Sequence, residues 1–383
     1  MLTVSNWKTF IELIQFGGGA IGVFLNFSLI LLTYFRSPPH LGAYKYLMYY
    51  ISGFEILYAI LNAIVQGHLF SHGPAFIFFR NLKHSYFGRA KGFYLLVAYC
   101  GSFGLSIALF GVHFIYRYGA VDNVFRKKFL GGKKLLMLFL LPIFYCVWWC
   151  LVVIICYRSS SKSDDFMRIP FLENYDTRVE EISYVMIWFH IANDEGILEP
   201  RWPTFIGIAN LWFMVTSSFV CVIFFGIKCY RKITKALKHS KMSSYYARSI
   251  QKQLFQALVL QTLVPVVLMY GPVGILYMFP MLNIEVGFIS TFVTATVEVY
   301  PAVDPLPTMF IVDNFRKTIL CKNKRKIEDL VKSGDQSQNS LSKSFRWLPE
   351  PKQEGGSSRI AESGQSCFLL LATCISVIPT VTS

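Results

Sequence analysis

The chain has 383 residues, 54% of them hydrophobic and 16% aromatic, with only 15% charged and a formal net charge of +15. Soluble domains carry about a quarter charged residues, so the two or three soluble domains that this length would allow are excluded by hydropathy. The basic excess collects in alternate loops instead of covering one face, which argues against a nucleic-acid-binding surface.

Seven uncharged or nearly uncharged apolar runs of membrane-spanning length follow one another, at roughly 13–35, 44–67, 92–116, 135–157, 204–227, 253–279 and 286–312. They predict an all-α membrane protein, a seven-transmembrane helix bundle. Residues 1–12 form a short extracellular N-terminus, 13–312 the bundle, and 313–383 a cytoplasmic tail whose Ser, Gln, Gly and Glu content predicts disorder. The first run is too long for a cleavable leader and reads as the first span. It contains GGGAIG at 17–22, which matches a dinucleotide-binding pattern only in letters. No strand precedes it, and small residues there let helices pack closely.

The loops carry the orientation signal. Arg117, Arg126, Lys127, Lys128, Lys133 and Lys134 lie between spans three and four. Eight basic residues and no acid, from Lys228 to Lys252, lie between spans five and six. The loop between spans four and five instead holds nine acids, Asp164 to Glu199, against five basic residues. Positive loops stay in the cytoplasm, which predicts the N-terminus outside and the tail inside. Arg80, Lys83, Arg89 and Lys91 dissent, standing on the predicted outer side. The nine cysteines form no extracellular framework or CxxC pair, the histidines are scattered, and no HExxH, GxSxG or phosphate-binding loop occurs; neither a metal, a cofactor nor an enzymatic activity is expected. The apolar run that ends the sequence is too short to cross a bilayer and reads as an alternative or mispredicted final exon.

Polar groups inside spans are costly and mark function. Asn26 lies in span one, Glu55 in span two, and Glu298 and Asp304 in span seven. Counted from the predicted cytoplasmic edges, Asn26 and Asp304 sit about 12–14 Å deep and Glu55 about 16 Å. The plainer reading gives each its own local neighbour; matched depth favours one shared interior network. Pro301, Pro305 and Pro307 crowd Asp304. Prolines free backbone carbonyls and kink a membrane helix, so Asn26, Glu55, Glu298, Pro301, Asp304 and Pro305 are the predicted polar switch.

Several stretches resemble the Str class of nematode serpentine chemoreceptors, which are seven-transmembrane G-protein-coupled receptors. LGAYKYLMYYISGFEILYAI (41–60) is similar to the approach to that family's second span, HFIYRY (113–118) to its third-span terminus, and YPAVDPLPTMFIVDNFR (300–316) to its seventh span. The resemblance covers about residues 10–320 and omits the tail. It implies detection of a small, lipophilic or volatile chemical at the plasma membrane of sensory neurons and their cilia, with a heterotrimeric G protein as partner. Arg117 resembles the arginine closing the third helix of rhodopsin-like receptors, but Tyr116 replaces the usual acid before it. DPLP stands where Asn-Pro is usual, and the 158–202 loop has no cysteine for a bridge to span three.

On that reading, ligand-pocket candidates are Tyr94, Tyr99, Phe103, Tyr270 and Phe292, and the partner-facing candidates are Tyr116, Arg117, Tyr118, Arg231 and Lys232. A ligand-gated channel subunit or transporter with seven spans is the alternative, since both also use broken helices and intramembrane acids. No internal repeat supports it.

Overall fold

The computed structural model describes residues 4–37, 44–83, 85, 88–193, 196–238, 242–284, 286 and 290–320. Helix α1 (Val4–Arg36) runs without interruption and ends just before Ser37-Pro38-Pro39, where proline cannot continue a helix. Helix α2 (Tyr44–Val65) stops at Gln66, whose positive φ of 47° turns the chain out of the helical path. A hairpin follows, with β1 (His68–His72) and β2 (Ala75–Asn81) joined by a tight Gly73-Pro74 turn. Gly73 has φ +50°, a conformation a β-carbon disfavours.

Helix α3 (Arg89–Val121) is the axis of the bundle and packs on α2 and on the helices that follow. Short α4 (Asn123–Phe129) is capped by the Asp122 side chain, which accepts from the Phe125 N–H at 2.9 Å. Helix α5 (Lys133–Cys156) leads to α6 (Ser161–Tyr175), which opens with a Ser160–Ser163 capping box. Next come β3 (Ile182–Trp188), β4 (His190–Ala192) and β5 (Leu198–Pro200), then α7 (Trp202–Lys238) and α8 (Met242–Pro265). One π-helical turn at Val266–Tyr270 joins α8 to α9 (Gly271–Met281) as a single span. The chain continues through α10 (Ser290–Val303), α11 (Leu306–Ile311) and α12 (Asp313–Ile319).

Among the described residues, six helices are long and apolar enough to cross a membrane: Leu13–Arg36, Tyr44–Val65, Arg89–Val121, Lys133–Cys156, Trp202–Ala236 and Ser249–Met281. The seventh predicted span, 286–312, is instead a broken helix, α10 and α11 separated at Asp304 and Pro305. The tail expected to begin at 313 starts with ordered structure, since α12 occupies Asp313–Ile319 and buries Phe315 completely. Residues 321–383 lie outside the described residues, as do His84 and His239. Large apolar side chains such as Phe16, Leu136 and Ile155 face outward along the helices, as a lipid-facing bundle requires.

One element was not expected from the sequence. Strand β3, from the acidic loop, pairs antiparallel with β2 over Ala75↔Trp188 to Asn81↔Ile182, completing a three-stranded sheet in the order β1-β2-β3. Side chains alternate across it with the period of two that a strand imposes. Leu69, Phe76, Phe78, Val185 and Ile187 point into the bundle core, while Phe70, Ile77, Phe79, Tyr184 and Met186 form a second core with Met167 and Phe171 of α6. The sheet is thus a cap across one end of the bundle, buried on both faces. The four dissenting basic residues lie around it. Arg80 is buried in β2, Lys83 pairs with Glu181 at 3.4 Å, Arg89 pairs with Asp164 at 2.5 Å, and Lys91 is exposed.

Candidate functional site

Beneath the cap lies a cavity of about 70 Å³. Leu69, Phe76 and Phe78 of the hairpin and Val185 and Ile187 of β3 roof it; Tyr99, Cys100 and Phe103 of α3 and Trp149 and Val153 of α5 wall it. Val273 and Tyr277 of α9 and Thr294, Val297 and Glu298 of α10 complete the enclosure. Rings meet in three ways: Phe78 stacks on Tyr99 at 5.2 Å, Phe103 tilts against Trp149 at 5.6 Å, and Phe76 meets Tyr277 edge to face at 4.8 Å. A cavity this apolar, with a few converging polar groups, is the usual form of a small-molecule site.

Its floor is Glu298, which is buried. Gln15 Nε2 of α1 donates to Glu298 Oε1 at 3.3 Å and to the Gly67 carbonyl at 3.0 Å, while Asn62 Nδ2 of α2 donates to Glu298 Oε2. The sequence grouped Glu298 with the switch below; the structure separates them, because six residues of helix put Glu298 about 9 Å from Asp304 along the axis.

Below the floor, stacked tyrosines descend toward the broken helix. Tyr58 stacks on Tyr99 at 5.2 Å and donates its hydroxyl to it at 2.9 Å, and meets the Tyr300 ring edge-on at 6.2 Å. The Tyr300 hydroxyl donates to Glu55 Oε1 at 2.5 Å. Glu55 and Asp304 line one cavity of about 10 Å³ together with Ser106, His113 and Gln261. Asn26 and Asp304 line a second of the same size, with Tyr44, Ser52 and Thr308. Each holds space for about one water molecule. Gln261 Nε2 donates to the Asp304 carbonyl at 3.1 Å and to its Oδ2 at 3.3 Å, and Gln261 Oε1 accepts from Thr308 at 2.9 Å. Among the described residues, Glu55 Oε2 and Asp304 Oδ1 have no hydrogen-bond partner. Asn26, Glu55 and Asp304 therefore border two small polar chambers without direct hydrogen bonds to one another.

The break itself has a local cause. Pro305 has no N–H, so the Pro301 carbonyl four residues earlier loses its helical donor. Asn26 Nδ2 supplies the replacement at 3.1 Å. Such an approach needs α1 close to α10. A β-carbon at Gly18 would stand 3.0 Å from the Glu298 carbonyl oxygen, and one at Gly22 would stand 3.1 Å from Pro301 Cβ. Gly18, Gly22 and Asn26 recur every four residues on one face of α1. The glycine run is a packing device.

At the opposite end from the cap, Arg117 is fully buried. Its Nη2 donates to the Gln251 carbonyl of α8 at 2.7 Å, its guanidinium lies 4.9 Å from the Tyr44 ring, and Nε and Nη1 have no partner among the described residues. Tyr44 also shares a hydrogen bond with His113. Tyr116 packs on Tyr44 and Phe139. Tyr118 donates to Asp122 at 3.0 Å, and Lys232 forms an ion pair with the same carboxylate. Lys232, the Phe125 N–H and the Tyr118 hydroxyl hold Asp122 well below the usual carboxylate range. Arg231 is exposed.

Residues 11–320 match the serpentine type 7TM GPCR chemoreceptor Str family. The chain belongs to that family. It is 36% identical to the G-protein coupled receptor str-217 of Caenorhabditis elegans over 297 residues, 77% of this chain and 85% of the relative. It is 27% identical to serpentine receptor class r-10 of the same species over 336 residues, 84% and 94% of the two chains, and 25% identical to the G-protein coupled receptor str-33 over 296 residues. The chain is thus a multi-pass membrane receptor of the serpentine chemoreceptor class.

Within this receptor the structure sorts the predicted pocket residues. Tyr99 and Phe103 line the cavity. Tyr270 lies behind the wall, meeting the Phe103 ring at 5.0 Å and sharing a 2.8 Å hydrogen bond with Ser106. Tyr94 and Phe292 do not reach it, being 59% and 55% exposed on the outside of the bundle. Helical phase explains both. Tyr94 precedes Tyr99 by five residues and Phe292 precedes Val297 by five, which at about 100° per residue turns them roughly 140° away. The roof residues, Trp149 and Tyr277 were missed. An apolar–polar–aromatic run closed by Gly-Pro at 68–81 is a readable hairpin signal.

Proposed function

We propose that this receptor detects a small, lipophilic chemical at the plasma membrane of sensory neurons and their cilia and passes the signal to a heterotrimeric G protein. The observation that carries the reading is the aromatic cavity under the sheet, connected through Tyr99, Tyr58 and Tyr300 to the broken seventh span. The names of the G-protein coupled receptors str-217 and str-33 support the choice of partner. The basic loops at the Arg117 end favour the cytoplasm there, which puts the cap outside. A ligand signals only if it binds one arrangement better than another. The α10–α11 break and the π-helical turn are the elements with two arrangements, because neither is locked by a continuous helical ladder.

The test is a panel of small volatile compounds on cells carrying the receptor and a G-protein reporter. Val273→Phe, which fills the cavity, is expected to abolish the response at unchanged surface level. A response that survives the filled cavity would overturn the assignment. Epitope tags at each terminus, stained with and without permeabilisation, test the orientation: an N-terminal tag that stains only after permeabilisation refutes it.

A further inference from the structure

Glu298 is an unusual wall for an apolar cavity. It is 2% exposed, and no lining residue is cationic. Both carboxylate oxygens accept from neutral amides, Oε1 from Gln15 and Oε2 from Asn62. The Gln15 amide orientation is fixed by its second bond to the Gly67 carbonyl, which only an N–H can make. These neutral amides can hold either protonation state of the carboxyl group, and only a cation can balance its ionised form. A buried carboxylate without a countercharge is costly unless something cationic completes it. The surrounding walls suit such a group, since Phe103, Trp149 and Tyr277 line the same cavity and aromatic rings attract a nearby cation.

From this we infer that the ligand carries a protonated amine on a short apolar body, with the ammonium against Glu298 and the body against the aromatic walls. The inference rests on the cavity being the ligand site. The volume of about 70 Å³ restricts the body to a few carbon atoms. Thr294, on the same face of α10 one turn earlier, adds a hydroxyl to the same wall and already accepts from the Leu69 N–H of the roof at 3.1 Å. An ammonium drawn to Glu298 therefore sits beside the hydroxyl that ties the cap to α10.

Three shape-matched probes separate the possibilities: isoamylamine, isoamyl alcohol and isovaleric acid, applied to reporter cells carrying the full chain. Isoamylamine is expected to act and the other two to be at least tenfold weaker. Glu298→Gln keeps the shape and removes the charge; it should weaken the amine at least tenfold and narrow its advantage over the alcohol. Glu298→Asp should recover part of the amine response, which guards against a folding artefact. Binding is read independently as a rise in thermal midpoint of the purified receptor with isoamylamine at pH 7. Unchanged amine potency in Glu298→Gln, or absence of both response and thermal shift with the amine, overturns the inference. If the alcohol alone acts and Val273→Phe abolishes its effect, the cavity stands as ligand site and only the amine falls. If Val273→Phe changes nothing, both fall.

Discussion

Asn26 is predicted to act as a substitute for the backbone donor that Pro305 lacks. Asn26→Ala removes two hydrogen bonds, to the Gly22 carbonyl at 3.0 Å and the Pro301 carbonyl at 3.1 Å. The first loss is harmless, because the Asn26 backbone N–H still serves Gly22 within α1. The second strands a buried carbonyl. That costs about 1–3 kcal/mol in soluble proteins, but side-chain hydrogen bonds within membrane bundles average about 0.6 and reach about 1.7 kcal/mol. About 1 kcal/mol is therefore expected, a fall of roughly 2–4 °C in thermal midpoint. Pro305 already has helical backbone angles, φ −72° and ψ −21°. Alanine at 305 would present the missing N–H to the Pro301 carbonyl without moving the chain. The assay is a double-mutant cycle on the thermal midpoint of the detergent-solubilised receptor. Asn26→Ala should cost less than half as much in the Pro305→Ala background as in the natural one. Equal losses in both backgrounds would refute the substitution argument, and no loss in either would show that the carbonyl is served by another group.

On the coupling proposed above, Arg117→Ala should abolish ligand-driven signalling while surface delivery persists, since a partner would reach the buried guanidinium only once its bond to α8 is released; normal signalling at equal surface level would refute the role. Asp304→Asn should shift basal reporter activity with the fold retained, whereas Asp304→Leu should strand Gln261, cost about 1 kcal/mol of stability and so reduce surface staining; equal behaviour of the two variants would refute the distinction. Asp122 has a depressed ionisation, so its bonds to Lys232 and Phe125 contribute stability fully above the ordinary carboxylate value of about 4 and lose it as pH falls toward the depressed one. The midpoint difference between wild type and Asp122→Asn should accordingly stay constant from about pH 8 to 5 and shrink below about pH 4; a difference that grows on acidification would contradict that sign.

The seventh span was legible because proline chemistry is local: Pro305 frees one carbonyl four residues back, and a polar residue on a neighbouring helix must answer it. The small-residue face of α1 was legible for the same reason. The apolar cavity was only half legible. Tyr99 and Phe103 line it, but aromatic content without helical phase also selected the outward-facing Tyr94 and Phe292. The surroundings of Glu298 were not legible, because depth along the helix separates it from Asp304 and only the fold shows that Gln15 and Asn62 reach it. The roof was illegible in its pairing. Strand β3 sits in a stretch whose acids signalled orientation, and no single sequence shows which strand edge it meets.

That pairing has a consequence for how the receptor is made. Strand β2 ends at Asn81 and its partner begins at Ile182, so about a hundred residues must be synthesised before the register can close. At roughly 5–20 residues per second, the edge of β2 waits about 5–20 s on the ribosome with its aromatic faces uncovered. Unpaired strand edges are templates for wrong partners. Helices α3 and α5 must enter the membrane during that interval, so production of intact receptor depends on the timing of translation as well as on the final contacts. Slowing elongation between residues 82 and 182 lengthens the exposure, and speeding it shortens it, without changing a single residue of the finished protein.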